Sequence, residues 1–171
     1  MKKILILMLM VIVSVSFASA QKIIKNKVDK FTKQKVVETS KETLYSVNLL
    51  YTGLTDRFEC ALRKVDGEYI LVANILTQDI HKYTEDSGIT LLLDNDKAIS
   101  LRTAYTGIGA PFAKGYRFKT IFYLSESDVE NLMNHKVVSI RISYLGGYYD
   151  KDLSPKKQSI IMKMVSLLEK E

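Results

Sequence analysis

A single cysteine, Cys60, stands in the 171 residues. One thiol makes no internal disulfide, so the fold has no covalent framework and its stability must come from core packing. Cys60 lies between Phe58 and Leu62 on one face of an alternating run, the setting of a small buried hydrophobe. No activating base stands near it in sequence. Histidine is almost as scarce: His81 sits in a polar stretch and His135 at the end of a helical pattern, and each reads as a surface residue. No Cys-x-x-Cys, His-Glu-x-x-His or Gly-x-Ser-x-Gly occurs. Asp94-Asn95-Asp96 begins like a calcium loop, but Ala98 and Ile99 stand where Asp or Asn and then Gly are required. Gly107 and Gly109 begin a dinucleotide fingerprint whose third glycine would fall on Phe112. The expectation is therefore no catalytic motif, no metal and no cofactor. A His–carboxylate pair assembled only by the fold stays open.

Long apolar runs are missing except at the start. Lys2 and Lys3 precede an apolar stretch from Ile4 to Phe17, followed by Ala18-Ser19-Ala20. A basic start, a short apolar core and an Ala-x-Ala site make a cleavable signal peptide over 1–20. A permanent membrane span needs roughly 20 apolar residues. No cysteine stands at the cleavage point, so a bacterial lipoprotein anchor is not expected. The expected product starts at Gln21 and is exported, to the periplasm or the outer surface. Taking Lys2 and Lys3 from the formal net charge of +6 leaves +4. Lys22, Lys25, Lys27, Lys30, Lys33 and Lys35 carry most of the excess, and all but Lys35 fall in a basic arm over 21–34 that reads as a solvated tail. The aromatic and basic residues form no stripe for nucleic acid, and none is expected as a partner.

The remaining residues, 35–171, suit one domain with a real core. Its clearest pattern runs from Tyr116 to Tyr144. Tyr116–Tyr123 alternates with aromatic and β-branched residues, as a half-buried strand does. Ser127 with Glu130 forms a capping box, with Ser125 and Asp128 as an earlier competitor, and Val129, Leu132 and Met133 follow at helical spacing. Val137–Tyr144 alternates again. A helix of about two turns spans on the order of 12 Å, too short to return along a strand of about 26 Å. It is expected to cap the sheet's end or edge, with a partly overlapping crossover as the alternative.

Upstream, Lys35–Ser40 and Tyr45–Tyr51 read as strands. Asp66-Gly67 between Arg57–Lys64 and Tyr69–Ile75 marks a hairpin, and Asp94–Lys97 between Ile89–Leu93 and Ala98–Thr103 marks another. Residues 104–115 hold three glycines and a proline, which argue against a regular element. Their Tyr105 and Phe112 read equally as binding residues and as aromatics closing the core's edge. Leu145–Tyr149 reads as a turn with Tyr148 and Tyr149. Ser154-Pro155 starts a last helix whose stripe, Ile160, Ile161, Met164, Leu167 and Leu168, is expected to cover the sheet.

Taken together, Val36–Ser40, Asp66–Leu71, Leu91–Asp94 with Ile99–Leu101, and Tyr123–Ser125 through Val138–Ile142 give the chain a pattern. It resembles the small exported proteins of unknown function common in Bacteroidetes. The resemblance implies export and an α+β sheet domain, and supplies no activity or catalytic residue.

The expected architecture is α+β: a largely antiparallel sheet of about six strands, one inserted helix and a C-terminal helix packed on the sheet. The expected function is a non-enzymatic binding or interaction module of the cell envelope, engaging an envelope protein or a small ligand through Tyr105, Phe112, Tyr148 and Tyr149. The alternatives are a small secreted hydrolase built around His81 or His135, and a structural envelope component that self-associates.

Overall fold

The computed structural model describes residues 21–49, 54–77, 87–107, 110–112 and 115–171. The expected signal peptide, with Ala18 and Ala20, and His81 lie outside the described residues.

Two hairpins form where short-range turn chemistry places them. β4 (Leu54–Val65) and β5 (Glu68–Thr77) pair through Val65↔Glu68, leaving Asp66 and Gly67 as the turn. Both turn residues have positive φ, 49° and 95°. That is the backbone of a type I′ turn, whose twist matches the flanking strands and which selects Asp-Gly. β6 (Gly88–Leu93) and β7 (Ala98–Arg102) form the second hairpin. Its turn is closed by Asp96 N–H donating to Leu93 O (3.1 Å), with Asp96 at a positive φ of 62°, and Asn95 Oδ1 accepts from Lys97 N–H (3.2 Å).

Pairing then assembles two antiparallel sheets. The larger has eight strands, with β1 (Ile23–Val28), β2 (Lys35–Thr39), β4, β5, β10 (Gly115–Leu124) and β8 (Tyr105–Thr106) in that order. β3 (Glu42–Leu49) also pairs β4, and β9 (Ala110–Phe112) also pairs β10. β4 is long enough to take two partners along one edge. β3 serves its first part, ending at Glu42↔Cys60, and β2 serves its end, from Glu38↔Arg63. At the join, the Leu62 N–H donates to the buried Thr39 Oγ1 at 3.0 Å, in place of a ladder carbonyl. The smaller sheet has the order β12 (Gly147–Asp152), β11 (Val137–Tyr144), β6, β7.

The α+β, largely antiparallel reading holds, and the C-terminal helix does pack on the sheet. Among the described residues, however, the strands number twelve and divide between two sheets, rather than about six in one. The segments read otherwise in sequence are β1, β8, β9 and β12, and all four are peripheral. An edge strand buries little and often carries lysines, so its hydrophobic pattern is weak. β1, taken from the lysine-rich arm, is hydrogen-bonded to β2 from Ile23↔Thr39 to Val28↔Lys35. Residues 104–115, expected to hold no regular element, supply two short pieces along the outer edge of β10. The proline in β9 suits that edge, where no ladder N–H is required of it.

The chain changes sheets at Thr103–Ala104. Thr103 N–H still bonds Ser87 O (3.1 Å) beside β6, whereas Ala104 N–H bonds Ile121 O (2.9 Å) on β10. It changes back through α1 (Glu126–Asn134), which follows β10 of the larger sheet and precedes β11 of the smaller. The helix therefore bridges two sheets. Its N-cap is Ser125, with Asp128 completing the box. The earlier of the two boxes forms because β10 ends at Leu124 and Ser125 is already in the extended conformation a cap needs, φ −72° and ψ 164°.

Both sheets feed one core, in which Phe58, Ile75 and Phe118 of the larger join Ile89, Leu91 and Ile140 of the smaller. The last helical segment breaks once: α2 (Pro155–Gln158) ends at Ser159, and α3 (Ile160–Leu168) follows. Ile160, Ile161, Met164 and Leu168 of the expected stripe are buried, with Val165 beside them and Leu167 half-buried. α3 packs on β2 and β4, and α1 packs on α3. Cys60 is fully buried in this core, and burial first, then the nearby Glu42 and Glu59 charges, push its thiol up to about 12. It is the inert core thiol that its neighbours in sequence imply.

Candidate functional site

A groove of about 1170 Å3, open to solvent, lies between the β4–β5 hairpin and α1. Local sequence makes each wall. On one side stands the Asp66–Gly67 turn, where Gly67 contributes no side chain. Asp66 Oδ1 accepts from Lys35 N–H at 2.8 Å, and Asp66 N–H donates to Lys35 O at 3.1 Å, which fixes the turn to β2. On the other side α1 turns Leu132 inward, fully buried, and leaves Glu126, Val129, Glu130 and Met133 along the groove. These positions, i, i+3, i+4 and i+7, form one helical face.

The floor is apolar: Tyr69, Leu124 and Val129 are buried in it, and Met133, 38 % exposed, completes it. Tyr123, 58 % exposed, flanks it. One end is closed by α3. The Tyr69 hydroxyl donates to the Glu169 carboxylate, Lys64 Nζ lies 3.8 Å from the same carboxylate, and that ammonium sits 4.9 Å from the centre of the Tyr69 ring. The rim is acidic. Asp66, Glu68, Glu126, Glu130 and Glu169 border the groove against one cation, Lys64. Sequence alone marked the Asp-Gly turn and the α1 spacing but not their meeting. The available signal was Met133, an apolar residue left over once Leu132 and Val129 have packed.

Of the aromatic residues expected to bind, Tyr105 lies in the larger sheet, and Tyr148 and Tyr149 lie in the smaller. Tyr105, 60 % exposed, is opposite Ile121 on the outer face of the larger sheet. The backbone of Phe112 pairs with Gly115 in the β9–β10 hairpin. Tyr148, 59 % exposed, is on the outer face of the smaller sheet, with the Arg141 guanidinium 4.0 Å from its ring centre. That guanidinium is clamped by Asp150, Nε and Nη2 each donating at 2.7 Å. The hydrogen bond from Arg141 holds the Asp150 carboxyl below its usual 3.8. Tyr149 turns the other way. Its hydroxyl lies 3.2 Å from that of Tyr45, linking β12 to β3, and its ring packs at a tilt on Tyr144.

His135 does meet a carboxylate, with Nδ1 3.0 Å from Asp94 Oδ1. Both side chains are about a third exposed. Among the described residues Asp94 is the imidazole's one side-chain partner, and the pair ties the end of α1 to the β6–β7 turn. It lies outside the groove lining. Among the described residues no group of three or more His, Cys, Asp or Glu is placed to hold a metal ion, and no helix is long and apolar enough to cross a membrane. No protein-family model matches the chain, and no curated protein or solved structure is similar to it.

Proposed function

We propose that this protein is an exported, non-enzymatic binding module of the cell envelope, and that the groove between the β4–β5 hairpin and α1 receives its partner. The observation that carries this reading is the groove itself: an apolar floor framed by polar groups. Export rests on the basic start, the apolar run and the Ala18-x-Ala20 site. The exposed Tyr105 and Tyr148 support a second reading, in which the outer sheet faces make the contact.

A crosslinked pull-down of tagged mature protein from its own envelope separates the two. Met133→Glu places a charge at the groove floor, and a Tyr105→Ala/Tyr148→Ala variant strips the outer aromatics. Loss of a stoichiometric partner with Met133→Glu alone is expected. A partner that survives Met133→Glu and is lost with the tyrosine variant transfers the site to the sheet faces.

A further inference from the structure

The groove's charge is opposite to that of the chain. The formal net charge is +6, and yet five carboxylates and one ammonium border this concavity. Internal partners account for some of them. Glu169 is engaged by Lys64 and Tyr69, and the Asp66 carboxylate accepts from the Lys35 N–H. Glu126 lies in the first turn of α1, where a helix favours an anion. Glu130 lies a turn further on, beyond the reach of that effect, and Glu68 stands on the hairpin. Among the described residues, the carboxylates of Glu68, Glu126 and Glu130 make no hydrogen bond or ion pair. They are exposed, with Glu68 on the hairpin wall and Glu126 and Glu130 on the helix wall of the apolar groove.

We infer that the groove binds a lysine- or arginine-rich polypeptide segment that also carries apolar side chains. This rests on the reading of the groove as the partner site. Acids on both walls call for cations along both flanks of the occupant, and the floor of Tyr69, Leu124, Val129 and Met133 calls for apolar groups between them. An extended chain supplies both, because its side chains alternate in direction. The volume of about 1170 Å3 exceeds the 300–1,000 Å3 typical of sites for small ligands, and its open side admits a continuing chain. The exposed carboxylates steer the approach and make it salt-dependent, while the floor supplies the apolar contact area.

The test uses three dye-labelled, end-capped hexapeptides and fluorescence anisotropy with the mature protein. One alternates lysine with leucine, one lysine with serine, and one glutamate with leucine. The lysine–leucine peptide is expected to bind, to weaken several-fold as salt rises from low to physiological, and to bind at least tenfold tighter than either other peptide. Glu68→Gln/Glu126→Gln/Glu130→Gln is expected to weaken it at least tenfold, whereas Asp150→Asn, on the outer face of the smaller sheet, leaves it unchanged. Unfolding curves of both variants confirm that they fold. Equal affinity for the lysine–serine peptide overturns the role of the floor and with it the inference. Equal or tighter binding of the glutamate–leucine peptide, abolished by Met133→Glu, overturns the basic partner while leaving the groove a binding site. Binding of none of the three to folded protein overturns the inference and counts against the groove reading as well.

Discussion

Replacing Ser125 by alanine tests which of two overlapping signals starts α1. Ser125 Oγ accepts from Asp128 N–H at 3.2 Å, and Asp128 Oδ2 accepts from the Ser125 N–H at 2.9 Å and from its hydroxyl at 2.6 Å. Among the described residues, Ser127 Oγ has only Ser125 Oγ as a hydrogen-bond partner, at 3.1 Å. Losing an N-cap hydroxyl costs about 1 kcal/mol. Asp128→Ala removes the reciprocal bond and an anion in the first turn, again about 1 kcal/mol. The double variant should cost less than the sum, because the two side chains also bond each other. Ser127→Ala and Glu130→Ala should each stay within about 0.5 kcal/mol, as surface substitutions do. In urea, with a slope of about 2 kcal/mol per molar, Ser125→Ala lowers the midpoint by roughly 0.5 M. The midpoint of thermal unfolding falls by about 2–4 °C. A midpoint shift for Ser127→Ala as large as that for Ser125→Ala would refute the assignment and move the helix start to Ser127.

Leu132→Ala, at the fully buried seam of α1 with α3, should destabilise by about 2–5 kcal/mol by urea unfolding. A loss under 1 kcal/mol would mean that α1 is not seated as described. Cys60, with its thiol pushed up to about 12, should resist a disulfide reagent at pH 8 in the native state and react fully in denaturant. Fast labelling of folded protein would contradict its burial. Asp150 has its folded pKa depressed below 3.8 by Arg141, so the pair's stabilising contribution is present above that value and is lost as pH falls through the lowered folded pKa. An NMR titration of the Asp150 carboxyl should place its midpoint below 3.8 in the native protein and nearer 3.8 in Arg141→Ala. An identical midpoint in both would dismiss the pairing.

The sequence by itself determined the turns, the inner strands and the helices, because these depend on neighbours a few residues apart. Asp66-Gly67 fits a turn with two positive φ values wherever it occurs. Phe118, Thr120 and Phe122 alternate onto the core whatever sheet receives them. Tertiary structure decided what depends on pairing. It alone made strands of β1, β8, β9 and β12, whose outward, polar or glycine-rich sequences bury too little to signal a strand. It alone placed β10 and β11 in different sheets, and split Tyr148 from Tyr149 across one of them. The groove belongs to the same class. Its walls come from Lys64–Tyr69, Tyr123–Asn134 and Glu169, which are brought together by α1 on α3 and by α3 on β4. No local period records such a meeting, since each wall's own pattern is satisfied by its inward face, and the face left over acquires a role only when another element stands opposite.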